Sequence, residues 1–107
     1  MKGVSIYEIL ESQNARGEEK RIRTEKLLPL SGFNDVRELR EQVARERVAG
    51  SLICSTKGNG GGYYIPETDE ELQNYCRMMR SSAIGHFSAM KAARAELKQR
   101  GKLPEGM

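Results

Sequence analysis

Asp35-Val36-Arg37-Glu38-Leu39-Arg40-Glu41-Gln42-Val43-Ala44-Arg45-Glu46-Arg47, and then Ser51-Leu52-Ile53-Cys54-Ser55-Thr56-Lys57-Gly58-Asn59-Gly60-Gly61-Gly62-Tyr63-Tyr64-Ile65-Pro66, is the stretch on which the fold turns. In the first of these runs Val36, Leu39 and Val43 recur at the helical period, so one face is apolar and the other charged. Asn34 or Asp35 opens this helix and Gly50 closes it. In the second run, a pair of β-prone segments brackets a glycine-rich tip, the pattern of a β-hairpin with a flexible loop, and Pro66 ends the second strand.

Upstream, Ser5 precedes Ile6, Ile9 and Leu10 with Glu8 three residues on, which predicts a capped first helix over about residues 5 to 14. Arg21-Ile22-Arg23 alternates polar and apolar, as a very short strand does. Thr24 is placed to cap a second short helix through Leu27 and Leu28. Pro29 limits that helix, because it removes a backbone donor, and Ser31-Gly32 makes the turn.

Downstream, Thr68-Asp69-Glu70-Glu71 is a strong capping box, and helix formers continue to Gln99. Gly85 is the one point where this helix can break. Unbroken, it is a rod of roughly 50 Å. Leu72, Cys76, Met79, Ala83, His86, Met90, Ala93 and Leu97 step by 4, 3, 4, 3, 4, 3, 4, a heptad-like seam poor in large aliphatics. Tyr75, Met78, Ile84 and Phe87 form a second apolar strip. The first half is expected to pack on the core, and the second half to pair with another subunit. The homodimer interface then comprises Ile84, Phe87, Met90, Ala93 and Leu97. A break at Gly85 would instead let the last segment fold back on its own domain.

The 107 residues are 37% hydrophobic, with six aromatics and no Trp, which allows one small, largely aliphatic core. The net charge of +3 hides a polarity along the chain. Arg16, Lys20, Arg21, Arg23 and Lys26 outweigh three Glu between residues 16 and 26. Four Arg balance four acids over 35 to 47. Glu67, Asp69, Glu70 and Glu71 form an acidic knot, and seven bases face Glu96 alone from 72 to 102. This asymmetry points to a polyanionic partner, or to a merely solvated helix face.

The order helix, short strand, helix, helix, hairpin resembles the winged helix-turn-helix domain of small bacterial and phage proteins. The resemblance is carried by Leu39-Arg40, Val43, Glu46-Arg47, Gly50, Ile53-Cys54-Ser55 and Gly61-Gly62-Tyr63-Tyr64-Ile65-Pro66. It implies an α+β, mostly α fold: a winged helix (three helices plus a β-hairpin wing) over 1–67 and a long C-terminal helical extension over 68–101. Residues 102–107 are expected to be a disordered tail. The implied function is that of a DNA-binding regulatory or accessory protein, with double-stranded DNA as partner. Its recognition helix, 35–47, would enter the major groove, and its wing, 56–62, would touch the backbone. The contact set is then Arg37, Glu41, Gln42 and Arg45 on the helix and Lys57 and Asn59 on the wing. Lys20, Arg21, Arg23 and Lys26 add phosphate contacts. Arg37 and Arg45 suit guanine or phosphate, and Gln42 suits adenine, whereas Arg40 and Arg47 lie nearer the buried side. Because Glu38 and Glu41 repel phosphate, the alternative is a protein–protein adaptor that uses the same fold and helical dimer interface without DNA.

Other classes are disfavoured. The glycine tract runs into a strand instead of opening a helix, so it is no phosphate-binding loop. His86, the only imidazole, has no nucleophile at usable spacing except Ser82, and no enzyme is expected. Neither a metal nor a cofactor is expected. Cys54 and Cys76 are read as free, mostly buried thiols. The chain has no membrane-length apolar run, and its opening residues have no signal core, so a cytoplasmic location is expected.

Overall fold

Ser5 starts the first helix as the spacing requires: its Oγ accepts the backbone N–H of Glu8 at 3.3 Å, and helix α1 runs Ile6–Ser12. This comes from a computed structural model that describes residues 5–58 and 61–104. Asn14 leaves α1 with φ 54°, a conformation Asn tolerates better than most residues. Helix α2 follows over Thr24–Ser31 and α3 over Val36–Val48. Strands β1, Cys54–Thr56, and β2, Gly62–Tyr64, form an antiparallel hairpin that pairs Cys54 with Tyr64 and Thr56 with Gly62. Helix α4, Asp69–Gln99, passes through Gly85 without a break. Among the described residues the fold is therefore α+β and mostly helical: three shorter α-helices, one antiparallel hairpin and the long C-terminal helix α4. By contacts it divides into two compact units, Met1–Tyr75 and Cys76–Met107.

In the first unit α1, α2 and α3 pack on one another around Ile6, Leu10, Leu27 and Leu39, all fully buried, and the hairpin adds Ile53, Tyr63 and Ile65. Each such aliphatic side chain contributes roughly 1.5–3 kcal/mol through burial. Strand β2 is bonded on both edges. Ile22 exchanges both backbone hydrogen bonds with Tyr63, at 2.9 and 3.0 Å, so the expected short strand is present as a one-residue bridge. On the same edge Ile65 bonds Ala15 and Gly17, each at 2.8 Å.

Several local expectations are corrected. Thr24 is the first residue of α2, and Arg23 holds the cap position with no side-chain bond. Pro29 lies inside α2, which continues to Ser31. The fully buried Leu27 anchors the helix, Ser31 Oγ donates to the Leu28 carbonyl at 2.6 Å, and Gly32 ends the helix at φ 79°. These contacts outweigh the single ladder bond that Pro29 forgoes. Val36 is only half-buried, and Arg40 is exposed. Cys54 is buried, but Cys76 is an exposed free thiol, because α4 has no buried residue at all.

The capping box at the start of α4 forms reciprocally. Thr68 Oγ1 accepts the Glu71 N–H at 3.1 Å, while Glu71 Oε1 accepts those of Glu67 and Thr68 at 2.7 and 3.4 Å. Glu71 Oε2 also accepts the N–H of Glu18 at 2.9 Å. Polar bonds thus join the first turn of α4 to the loop before α2. Among the described residues no helix is long and apolar enough to cross a membrane.

Candidate nucleic-acid interface

Helix α3 turns Leu39, Val43 and Glu46 inward and so leaves Arg37, Glu41 and Arg45 exposed. With Phe33, Glu38 and the half-buried Gln42 they line one open groove of about 510 Å³. The structure therefore gathers the four helix residues of the expected contact set on one surface. Arg37 Nε and Glu41 Oε1 are 3.8 Å apart at helical i,i+4 spacing. Both are exposed, so the pair stabilises the helix by no more than about 0.5 kcal/mol. It does offset one positive charge on the groove.

Gln42 is engaged at both ends. Its Nε2 donates to Glu46 Oε2 at 2.8 Å, and its Oε1 accepts from Arg45 Nε and NH2 at 3.3 and 2.9 Å. The amide thus aims Arg45, whose guanidinium keeps further donors for a ligand. Behind it stands Glu46, a buried carboxylate on the core face of α3. Its Oε1 accepts Ser5 Oγ and the Tyr7 N–H, both at 2.9 Å, and its Oε2 accepts the Ile6 N–H at 2.7 Å. Burial pushes this carboxyl up, but the bonds from Tyr7, Gln42, Ile6 and Ser5 together hold it below its ordinary value. The orphan amides at the start of α1 are capped from α3 rather than by Glu8.

Lys20, Arg21, Arg23 and Lys26 converge on a second concavity of about 370 Å³ that also touches Gln13, Ile22, Glu25 and Leu30. A 3₁₀ turn over Glu18–Lys20 delivers Lys20, and the Ile22 bridge sets Arg21 and Arg23 on either side of it. Lys20, Arg23 and Lys26 are exposed. Arg21 is half-buried, with NH1 donating to the Glu18 carbonyl at 3.1 Å. Its aliphatic stem runs beside Gly62, where a Cβ would lie 3.1 Å from Arg21 Cδ and 3.0 Å from the Ile22 carbonyl. Gly62 is thus demanded by close approach.

On the hairpin Lys57 is exposed, and Gly61 N–H closes the tip on the Gly58 carbonyl at 3.0 Å. Asn59 lies outside the described residues. Arg47 is half-buried, as its place near the core edge suggested, but it is more than a packed stem. Its Nε donates to the Ile53 carbonyl at 2.9 Å, its NH2 to Ser55 Oγ at 3.3 Å, and its guanidinium stacks 5.3 Å from the Tyr75 ring centroid. It fixes α3 to the hairpin. Beside β1, burial and then the neighbouring Cys54 push the Tyr64 hydroxyl up to about 12.

In the second unit Ile84, Phe87 and Met90 come together with Ser88, Lys91 and Arg94 along a shallow depression of about 340 Å³. Of the other two expected interface residues, Ala93 is exposed and Leu97 half-buried.

Glu46 is the residue behind this surface least visible in sequence. The signal lies in its spacing, since an acid seven residues after Leu39 and three after Val43 falls on the buried face and requires a partner there. The chain matches no protein-family model, no curated protein and no solved structure.

Proposed function

We propose that the first unit is a winged-helix module that binds double-stranded DNA, and that the protein is a cytoplasmic regulatory or accessory DNA-binding factor. The observation that carries this is the basic concavity of Lys20, Arg21, Arg23 and Lys26, four cations against the single acid Glu25. Such a cluster supplies the positive charge by which a protein displaces counterions from a duplex backbone. Support for the module itself comes from β2 lying between β1 and the Ile22 bridge, the strand order of a winged helix. Helix α3 would then lie in the major groove, with Arg45 aimed at a base edge and Arg37 at base or phosphate. The exposed Lys57 would meet the backbone from the hairpin. Two cysteines held in no disulfide suit a reducing compartment.

Charge reversal separates the two contributions. Arg23→Glu with Lys26→Glu should weaken binding to all duplex sequences alike, by about tenfold or more at low salt. Arg45→Ala should cost about 1–3 kcal/mol on a preferred site and relax specificity there. Both variants should melt like the wild type, since these side chains are exposed. Fluorescence anisotropy with random and selected duplexes reads both effects. Unchanged binding in the double variant would overturn the assignment of the concavity.

A second reading rests on the α3 groove, where Glu38 and Glu41 balance Arg37 and Arg45. A charge-neutral groove with Phe33 at its edge suits a protein segment, as in an adaptor. No duplex binding at low salt favours that reading.

A further inference from the structure

We infer that α4 pairs with the α4 of a second copy of this chain, antiparallel, in a register centred between Ile84 and Gly85. The helix is one continuous element with no buried residue: of the seam, Cys76, Ala83, His86 and Ala93 are exposed and Leu72, Met79, Met90 and Leu97 only half-buried, and Phe87 on its flank is 67% exposed. Apolar surface of this extent along a single helix needs a cover. The chain's own tail cannot supply it while α4 runs unbroken through Gly85.

The sequence of the seam selects the second copy and its direction. The 4, 3, 4, 3, 4, 3, 4 spacing from Leu72 to Leu97 reads the same from either end. Reversing one helix about the Ile84–Gly85 midpoint sets Leu72 against Leu97, Met79 against Met90, and the small Ala93 against Cys76. One seam step beyond each end, Asp69 meets Arg100. Parallel pairing would instead oppose Asp69 to Asp69, Arg100 to Arg100 and His86 to His86. The acidic first turn of α4, Asp69 to Glu71, and its basic last turn with Lys98 also favour opposed directions, as do the helix dipoles. On the flank Arg80 of one copy comes beside Phe87 of the other, placing a cation on the most exposed aromatic ring. The pairing is independent of DNA binding.

Cys76 reports the register. It is exposed and free, while Cys54 is buried. In the full-length chain Ala93→Cys should give a disulfide-linked dimer under mild oxidation, within the reach such a bond requires. The wild type should sediment as a dimer at tens of micromolar yet remain uncross-linked, because its two Cys76 residues lie far apart. Adding Cys76→Ser to Ala93→Cys should abolish the link, and Met90→Glu should convert the dimer to monomers with an unchanged circular dichroism spectrum. Cross-linking of the wild type through Cys76 would show parallel pairing. An Ala93→Cys disulfide at monomer mobility would show a helix folded back at Gly85. A dimer whose Ala93→Cys variant does not cross-link would overturn the register, and a monomeric wild type would overturn self-pairing and leave the face to another protein.

Discussion

Glu46→Ala should lower the unfolding free energy by about 2–4 kcal/mol, among the largest effects of any single change outside the aliphatic core. The substitution removes four hydrogen bonds at once, from Ser5, Ile6, Tyr7 and Gln42. The Ile6 N–H is buried and would be left without its acceptor, so the loss includes the desolvation of an orphan amide. Glu46→Gln keeps an oxygen acceptor but loses the charge, and should cost about half as much. Urea melts followed by circular dichroism would measure both. An unaffected melt for Glu46→Ala would mean that α1 does not depend on α3 for its cap.

The same carboxylate sets a pH dependence of definite sign. Its folded value lies below its ordinary one, so the unfolded chain binds the proton more tightly. The stability it supplies is therefore complete above its unfolded value, near pH 4.5, and is lost as pH falls through the lower folded value. Glu71 shifts in the same direction: burial pushes it up, but the amides of Glu67, Glu18 and Thr68 pull it below ordinary. Acid melts below about pH 4.5 should show the wild type losing stability faster than Glu46→Gln.

Gly62→Val should be the second large effect, at about 2–4 kcal/mol. Gly62 sits at φ 142°, where an L side chain is strained, and its Cβ would press on the Ile22 carbonyl at 3.0 Å. That carbonyl accepts the Tyr63 N–H, so displacing it opens the edge of β2 that carries Arg21 and Arg23. Duplex binding should fall along with stability. Gly58→Ala, which meets nothing within 4 Å, is the control and should be near neutral. Equal melting of the two variants would contradict the close approach.

What the sequence disclosed was governed by local rules. The Ser5 and Thr68 caps, the apolar face of α3 and the hairpin around the glycines each follow from residues within one or two turns of one another. The continuity of α4 could not be read locally, because Gly85 lowers helix propensity by about 1 kcal/mol relative to Ala and only the surrounding helix formers offset it. Pro29 inside α2 and the half-buried Val36 depended on how deeply Leu27 and Leu39 are buried, which is a tertiary quantity. The Glu46 cap spans forty residues, and the Arg47 contacts with Ile53 and Tyr75 likewise cross elements. For the candidate interface, the helical period already grouped Arg37, Glu41, Gln42 and Arg45, but the shape of the basic surface was not legible. Only the fold shows that Lys20, Arg21, Arg23 and Lys26 share one concavity, and that Gln42 is committed to Glu46 and Arg45.

Duplex affinity as a function of salt tests the central claim most directly. Each phosphate neutralised releases counterions, and about four such contacts should weaken binding on the order of 10²-fold between 50 and 200 mM monovalent salt. An anisotropy titration of the wild type against a labelled random duplex at those two concentrations is sufficient. A steep fall of that size is the result predicted from the basic concavity, whereas equal affinity at both concentrations, or no binding at 50 mM, would contradict it.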